Sequence, residues 1–417
     1  NMDSNAVSMF NVRSLTATDN QFDTLGTGHN ALVFQNGGSL TVAGNSFSNI
    51  GWNAVQLVGA TNVTITNNIC SNLGAEAFKL GGPIENGVCS YNTIIRANTT
   101  GEQDVGGIRI RVAAGQPYNV EIIGNYIENS FNGIAVRDGD VLAGTTITVA
   151  QNTLVDNSNA GIYNGGTAAL AVSANYWGTE FGPSGTGFFG TGDAIVGPVA
   201  IESYYTDATL TTLHFYDLYV DDSFADDDLD SNHFRTIQAA YAAANPGDTI
   251  HVAAGTYAQA STLTLAKPGI TVTGAARDDV KIDVSACGSS WGIHVATDNV
   301  TLEHFTVIPA SETGGGYPIH AAPEPVTPGV TIANLVLRDI LIDGSYRTAF
   351  DLHSVNGATL DGLTALNTTR GNGIQITGCT DVTLTDCTTS GNAWGGVAFY
   401  NSSYAASSCA NVTADLT

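Results

Sequence analysis

Hydrophobic and polar positions alternate in short segments that recur along the first half of the chain. The segments are "LTATDNQF", "LTVAGNSF", "VTITNNIC", "VCSYNTII", "VEIIGNYI", "ITVAQNTL" and "LAVSANYW", spaced 23 to 33 residues apart. Each has alternating apolar residues, a short turn, an asparagine and, two residues later, another apolar residue. A second strand pattern such as "WNAVQL" or "GGIRIR" follows. Period-two alternation within a repeat of about 25 residues predicts a parallel β-solenoid.

The repeated asparagine predicts a polar column inside this solenoid. Equivalent residues of successive coils lie about 4.8 Å apart, so their amides can hydrogen-bond to one another. The column comprises Asn20, Asn45, Asn68, Asn92, Asn125, Asn152 and Asn175. We interpret these residues as structural. The apolar position that follows each of them should face the core.

The pattern stops over residues 174–206 and resumes after a helical segment. The segment "FRTIQAAYAAANPGDT" has helical spacing of apolar residues, Ser231 or Asn232 as N-cap, and Pro246-Gly247 as its stop. Such a helix should cover the open end of a solenoid. In the second half, the column position is predicted to be filled by Phe305, Leu335, Leu363, Cys387 and Thr417.

Two segments resemble a known family. "FRTIQAAYAAANPGDTIHVAAGTY" resembles the opening of right-handed parallel β-helix proteins of the pectin-lyase-like superfamily, and "NYWGTEFGPSGTG" resembles the way such domains close. The resemblance implies an all-β, right-handed parallel β-helix. It divides the chain into the C-terminal half of one helix (1–206), a linker (207–217), and a capped N-terminal half of a second helix (218–417). The superfamily includes lyases, hydrolases, epimerases, adhesins and surface-layer proteins, so the fold leaves the function open.

The two ends of the sequence continue one another in phase. Reading "NVTADLT" into "NMDSNAVSMF" preserves the strand and turn pattern. Met2, Val7 and Met9 would then meet Val412 of another copy. We therefore expect copies joined head to tail, as separate chains or as covalently linked repeats. An excerpt from a longer polypeptide and a standalone monomer are the alternatives.

Composition narrows the possible partners. The net charge of −25 with only 13 Lys and Arg residues argues against nucleic acid, and no apolar run approaches the length of a membrane span. The leading interpretation is an extracellular structural protein that assembles into a filament, sheath or surface layer. Such a structural role requires neither catalysis nor a cofactor.

Four of the few cations are predicted to lie on adjacent strands. Aligning "EAFKLGG", "GIRIRVA" and "GIAVRDG" places Lys79 beside Arg109, and Arg111 beside Arg137. Like charges on neighbouring strands are unfavourable unless anions lie among them. One hypothesis is a groove for an acidic polysaccharide, in an adhesin or, as the resemblance implies, in a lyase or epimerase that abstracts a uronate C5 proton. The alternative is local pairing with carboxylates, namely Glu102, Asp104, Asp138 and Asp140.

Two further motifs have candidate chemistry. The run "DDSFADDDLD" could bind Ca²⁺ through Asp221, Asp222, Asp226 and Asp228, or it could be a solvated linker. The segment "AFDLHSVNG" resembles the Asp-x-His stretch of alginate epimerases, with Asp351 and His353 facing outward. We interpret this match as coincidental because no Tyr or basic partners are evident around it.

The cysteines predict one disulfide. Cys379 and Cys409 each precede a strand valine by three residues in successive coils, so they should stack at a separation that suits a disulfide. Such a bond would be in keeping with an extracellular location.

Overall fold

The structure is a computed structural model. It describes residues 5–112, 114–228, 232–288, 291–311, 314–325, 327, 329–401 and 408–416. The chain divides into two compact units, Asn1–Phe215 and Tyr216–Thr417.

Unit 1 consists of short strands. In chain order they are β1 Val7–Phe10, β2 Ser14–Thr18, β3 Gln21–Leu25, β4 Leu32–Ala43, β5 Ser46–Ile50, β6 Val55–Thr66, β7 Ile69–Leu73, β8 Phe78–Ser90, β9 Thr93–Ile95, β10 Ile108–Arg111, β11 Tyr118–Ile123, β12 Tyr126–Glu128, β13 Asn132–Val136, β14 Thr146–Ala150, β15 Thr153–Val155, β16 Ala160–Asn164, β17 Leu170–Ser173, β18 Asn175–Tyr176, β19 Pro183–Gly185, β20 Phe188–Phe189, β21 Gly192–Val196, β22 Val199–Ile201, β23 Ser203–Tyr205 and β24 Leu213–Phe215.

Unit 2 adds one α-helix to the same kind of strands. They are β25 Asp217–Val220, β26 His233–Phe234, α1 Ile237–Ala243, β27 Thr249–Val252, β28 Gly255–Ala258, β29 Leu263–Leu265, β30 Thr271–Gly274, β31 Val280–Asp283, a 3₁₀ turn at Ser285–Cys287, β32 Trp291–Val295, β33 Thr301–Ile308, β34 Tyr317–Ala321, β35 Ile332–Asp343, β36 Phe350–His353, β37 Val355–Asp361, β38 Thr364–Leu366, β39 Asn372–Thr377, β40 Thr380–Ser390, β41 Gly395–Tyr400 and β42 Ala410–Leu416.

Each unit is a parallel β-helix. Unit 1 has sheets of 15 and 9 strands, and unit 2 has sheets of 12 and 6 strands. Successive coils pair in parallel and mostly in register, as β4 does with β6 and β33 with β35. The pairs β19/β20 and β23/β24 are antiparallel. The predicted all-β parallel β-helix is confirmed. Among the described residues, no helix is long and apolar enough to cross a membrane.

The predicted asparagine column exists and is hydrogen-bonded throughout. In each pair, the backbone N–H and the Nδ2 amide of one asparagine donate to the Oδ1 of the next. The Asn68 groups lie 3.0 and 2.9 Å from Asn92 Oδ1. The same two bonds link the other members from Asn20 to Asn175. The column therefore satisfies polar groups that the turns would otherwise bury unpaired.

The residue before each column asparagine has a left-handed backbone conformation. Gly44 and Gly124 occupy two of these sites, with φ of 68° and 69°. Asn67 occupies a third with φ of 55°. Glycine and asparagine tolerate this region at low cost, so these sites explain the short turns that punctuate the repeat.

Two details of the second half differ from the predictions. Phe305 pairs with Ile340 rather than Leu335, which lies on the column of Ala358. Strand β35 is long enough to span both positions, and its N-terminal part also fits the alternating pattern of the repeat. The N-cap of α1 is Thr236, whose side chain accepts from the Ala239 N–H, not Ser231 or Asn232. Of those two residues, Ser231 lies outside the described residues, as does the predicted column residue Thr417.

The segment predicted as a linker contains a hairpin strand. Within 207–217, β24 pairs with β23 of unit 1. The Asp207 carboxylate shapes the connecting turn by accepting from the Thr212 N–H at 2.7 Å.

Candidate functional site

Strand register places the four predicted cations together on unit 1. Lys79 on β8 lies directly beside Arg109 on β10, and Arg111 is opposite Gly81. The Arg137 N–H donates to the Ile110 carbonyl, which continues the register of β10 with β13. The four side chains therefore share one region of the sheet.

Arg109 is neutralised by two carboxylates. Its Nη1 lies 3.0 Å from Glu76 Oε1 and its Nη2 lies 2.5 Å from Asp104 Oδ2. The side chains of Arg109 and Glu76 are only 13% and 2% exposed. Glu76 also ends a second ladder of polar residues, which runs from Asn30 through Asn53: the Glu76 N–H donates to Asn53 Oδ1. Arg109 thus compensates a buried charge, and both of its Nη atoms are already paired.

The remaining cations line an open cleft. Arg137 pairs with Asp140 at 2.9 Å but its side chain stays 37% exposed. Within the described residues, Lys79 and Arg111 form no ion pair. Local pairing, the alternative from sequence, therefore explains only half of this group. The cationic cleft, as we call it, has a volume of about 330 Å³ and is lined by Val58, Lys79, Gly81, Gly82, Arg111, Val112, Ala114 and Arg137.

The electrostatics of Lys79 show incomplete compensation. Burial lowers the pKa of its ammonium group. The charge of Glu76 opposes this effect, whereas the charges of Arg109 and Arg111 lower the pKa further. A bound anion would favour the charged ammonium and relieve the repulsion.

A second cluster lies on the six-stranded sheet of unit 2. Register places His294 beside His320, His320 beside Asp351, and Asp351 beside Gln375. His353 follows Asp351 by two residues on β36, so both project from the same face of the sheet. We call His294, His320, Asp351 and His353 the histidine cluster.

The Asp351 carboxylate is the centre of this cluster. Its Oδ2 lies 2.8 Å from His320 Nδ1, and its Oδ1 lies 3.1 Å from His353 Nε2. Gln375 Nε2 donates to the same Oδ1 at 2.9 Å. Burial alone would raise the pKa of Asp351, but the hydrogen bonds from His320 and His353 outweigh it and lower the pKa. The carboxylate is therefore buried and ionised.

Aromatic and basic side chains surround the histidine cluster. Trp291 stacks on His320 with ring centroids 4.6 Å apart, and Arg347 lies over the Tyr317 ring. The Tyr317 ring centroid is 6.0 Å from that of His320. The premise that no Tyr or basic partners surround the Asp-x-His stretch is therefore wrong, because Tyr, Arg and His side chains come from neighbouring coils. That the match to alginate epimerases is coincidental stays an interpretation. Aligning "WGIHV", "YPIHA", "FDLHS" and "GIQIT" on their inward apolar pairs would have found the column.

The acidic run supplies backbone interactions. Asp221 Oδ1 accepts from the Ser223 N–H at 2.8 Å, and Asp227 Oδ1 accepts from the Arg235 N–H at 2.6 Å. Over the described residues, a group of three ligands that could hold an ion occurs at His320, Asp351 and His353 and not in this run. Calcium binding by Asp221, Asp222, Asp226 and Asp228 stays a prediction.

The predicted disulfide is absent. Cys379 and Cys409 do stack, since Val382 pairs with Val412, but both thiols are free, as are the other four cysteines. Cys379 Sγ contacts the Leu352 carbonyl oxygen at 3.7 Å, and Cys409 Sγ contacts that of Ile376 at 3.4 Å. Each thiol thus bonds to the preceding coil instead of to the other thiol.

The predicted assembly ends lie partly within the described residues. Val7 and Met9 are on β1, which pairs with β4, whereas Met2 lies outside the described residues. Val412 on β42 packs against the core of unit 2. Head-to-tail contact between copies stays a prediction.

Comparisons with known proteins concern the fold. Residues 5–176 match a family model described as a right handed beta helix region. No curated protein sequence matches the chain. A pectin methylesterase solved in complex with a hexasaccharide is 14% identical with a TM-score of 0.25, and the match covers 40% of this chain and 65% of that one. A PL6 family alginate lyase is 12% identical with a TM-score of 0.27, and the match covers 94% of this chain and 68% of that one.

The chain thus spans less than two thirds of the methylesterase. Residues 5–176 therefore contain a right handed beta helix region, and the stacked parallel strands give both units of this chain the parallel β-helix fold.

Proposed function

We propose that this β-helix binds an acidic polysaccharide through the cationic cleft of unit 1, in an extracellular setting. The observation that carries the proposal is that Lys79 and Arg111 share a cleft without a carboxylate partner among the described residues. The neighbouring Arg109 and Arg137 both have such partners. Cations without an ion-pair partner are unusual in a chain of net charge −25 and favour an anionic ligand.

The shape and charge of the cleft fit a uronate. A volume of about 330 Å³ lies at the small end of the range of ligand sites, roughly 300–1,000 Å³. Arg111 can hold a carboxylate with two parallel hydrogen bonds, and Lys79 adds a point charge. Gly81 and Gly82 have no side chains to fill the cleft, which leaves room for a sugar ring beside Lys79 and Arg111.

Binding measurements test the proposal. Titration with polygalacturonate and alginate, with neutral dextran as control, should show salt-sensitive binding of the acidic polymers only. Lys79→Gln and Arg111→Gln should each weaken binding about tenfold, the effect of losing one charge-assisted contact. Lys281→Gln, at an exposed strand position of unit 2, is the matched control and should change nothing.

Equal affinity of the double variant and the parent chain would refute the cleft as the binding site. Release of an unsaturated uronate by the parent chain would extend the proposal from binding to lyase activity. Lys79, with its lowered pKa, would then be the first residue to test as the base.

Exposed sheet edges support a second candidate function, end-to-end assembly with another copy. Strand β1 pairs only with β4 and β42 only with β40 among the described residues. Phe10 is 54% exposed at the first edge, and Tyr400 on β41 is 46% exposed in unit 2. Such edges template strand pairing. Sedimentation velocity should show concentration-dependent polymers that Phe10→Lys suppresses, whereas monomers at every concentration would refute assembly.

A further inference from the structure

We propose that His320, Asp351 and His353 of unit 2 form a binding site for a divalent transition-metal ion, with zinc as the best match to the donors. The inference is independent of the cationic cleft, which lies in unit 1. It rests on the convergence of three ligand atoms, their burial, and the residues that hold them.

The three candidate ligand atoms lie close together. His320 Nδ1, an Asp351 carboxylate oxygen and His353 Nε2 all lie within 4.8 Å of one another. His320 Nδ1 lies 2.8 Å from Asp351 Oδ2, and His353 Nε2 lies 3.1 Å from Asp351 Oδ1. Ligand atoms about 2.0–2.1 Å from a tetrahedral zinc ion are about 3.4 Å apart. A small rotation of each side chain would therefore open the cluster around an ion.

The backbone fixes this arrangement. His320 and Asp351 are register partners on neighbouring strands, and His353 is two residues from Asp351 on the same strand. Strand β36 has a hydrogen-bonded neighbour on each side, β34 and β39. Sites built on such strands hold their ligands in place without ordering a loop.

Neighbouring residues orient the ligands from outside the triad. Gln375 donates to Asp351 Oδ1 at 2.9 Å, and Trp291 stacks on His320 at an interplanar angle of 12°. Partners of this kind fix the geometry of metal ligands. His294 completes the column as a 1% exposed ring whose Nε2 has no hydrogen-bond partner. An unpartnered buried imidazole nitrogen beside the triad is a further sign that the cluster accommodates a ligand.

The donor set indicates the class of ion. Two imidazole nitrogens and one carboxylate suit zinc and related first-row metals, whereas calcium and magnesium prefer oxygen ligands. A divalent ion would also compensate the Asp351 charge, whose side chain is only 2% exposed. The 29% exposed His353 lies at the open side of the cluster, so a fourth position can take water or a ligand.

Metal titration of the full chain tests the site. After removal of metal with a chelator and dialysis, calorimetric titration with Zn²⁺ should show one ion per chain. Co²⁺ should give visible absorption bands from imidazole coordination. His353→Ala and Asp351→Asn should each weaken Zn²⁺ binding more than about 100-fold, and Gln375→Leu by about 10–100-fold.

The control comes from a second histidine–aspartate pair in the same unit. His304 Nδ1 lies 3.1 Å from Asp339 Oδ2, but no third ligand joins them in the described part of the chain. His304→Ala should leave both stoichiometry and affinity unchanged. Circular dichroism should show intact sheets in His353→Ala, because that residue is partly exposed at the end of its strand.

Three results would overturn the proposal. They are no Zn²⁺ binding by the parent chain, binding that persists unchanged in both His353→Ala and Asp351→Asn, and displacement of Zn²⁺ by equimolar Ca²⁺. The last result would mean that oxygen ligands elsewhere hold the ion.

Discussion

Replacement of Arg109 by methionine should destabilise unit 1 strongly, because it leaves the buried Glu76 carboxylate without its cation. The Arg109–Glu76 contact is 3.0 Å and the Glu76 side chain is 2% exposed. At an effective dielectric constant of about 20, two charges about 4 Å apart attract by about 4 kcal/mol. Removing one partner of a buried pair typically costs about 3–5 kcal/mol. We expect a loss of that size.

The double variant provides the decisive comparison. Glu76 occupies the ladder position that Asn30 and Asn53 fill in the preceding coils: the Asn53 N–H donates to Asn30 Oδ1, and the Glu76 N–H donates to Asn53 Oδ1. Asparagine at position 76 would keep a ladder residue and remove the charge. Glu76→Asn combined with Arg109→Met should therefore cost less than about 2 kcal/mol, although Arg109→Met alone costs more.

Thermal unfolding monitored by circular dichroism measures both effects. For a domain of about 150–250 residues, 1 kcal/mol shifts the melting temperature by roughly 2–4 °C. Arg109→Met should thus lower the melting temperature of unit 1 by roughly 6–20 °C, and the second substitution should restore most of the loss. A single variant that melts within about 2 °C of the parent chain would refute the reasoning, as would a double variant no more stable than the single one.

Further predictions concern the ladder, one acidic residue and the thiols. Asn92→Ala should cost about 2–4 kcal/mol in urea unfolding, since it unpairs neighbours above and below, whereas the exposed Asn20→Ala should cost under about 1 kcal/mol. Burial raises the pKa of Asp193 to about 6. The protonated carboxyl should therefore stabilise unit 1 fully below about pH 4, and this stability should be lost as the pH rises through about 6. Asp193→Asn should abolish this pH dependence and leave unit 1 more stable at pH 7. Reducing agent should leave the melting temperature unchanged, and mass spectrometry after unfolding should find Cys379 and Cys409 alkylated without prior reduction.

The sequence was sufficient to predict the fold because each coil of unit 1 repeats one pattern. The asparagine column could be read directly, since Asn45 and Asn68 stand in the same place relative to strand and turn. The prediction that Leu335 follows Phe305 in the column was wrong for a related reason. Strand β35 contains two stretches that match the pattern, and Phe305 pairs with Ile340 in the second. A repeat predicts that coils stack, but long strands leave the register open.

The candidate sites were harder to predict because they depend on contacts between coils of different length. Lys79 and Arg109 were found since "FKL" and "IRI" align on their apolar residues. The pairing of Arg109 with Glu76 was missed, because Glu76 lies before its strand in a position normally filled by asparagine. His320 was missed for a similar reason. It lies 31 residues from Asp351, and only the register of β34 with β36 brings them together.

Both sites lie where the residue type in a column of the solenoid changes from one coil to the next. In a parallel β-helix, identical residues in register favour stability, since each coil satisfies the next, as in the asparagine column. A buried charge in such a column needs a partner from the adjacent coil: Glu76 replaces an amide and pairs with Arg109. Lys79, beside that pair, has no ion-pair partner among the described residues, and Asp351 is a buried carboxylate held by hydrogen bonds from His320 and His353. An anion at the first and a metal ion at the second would each compensate the local charge further, so we infer that departures from the columns mark candidate functional sites in each unit.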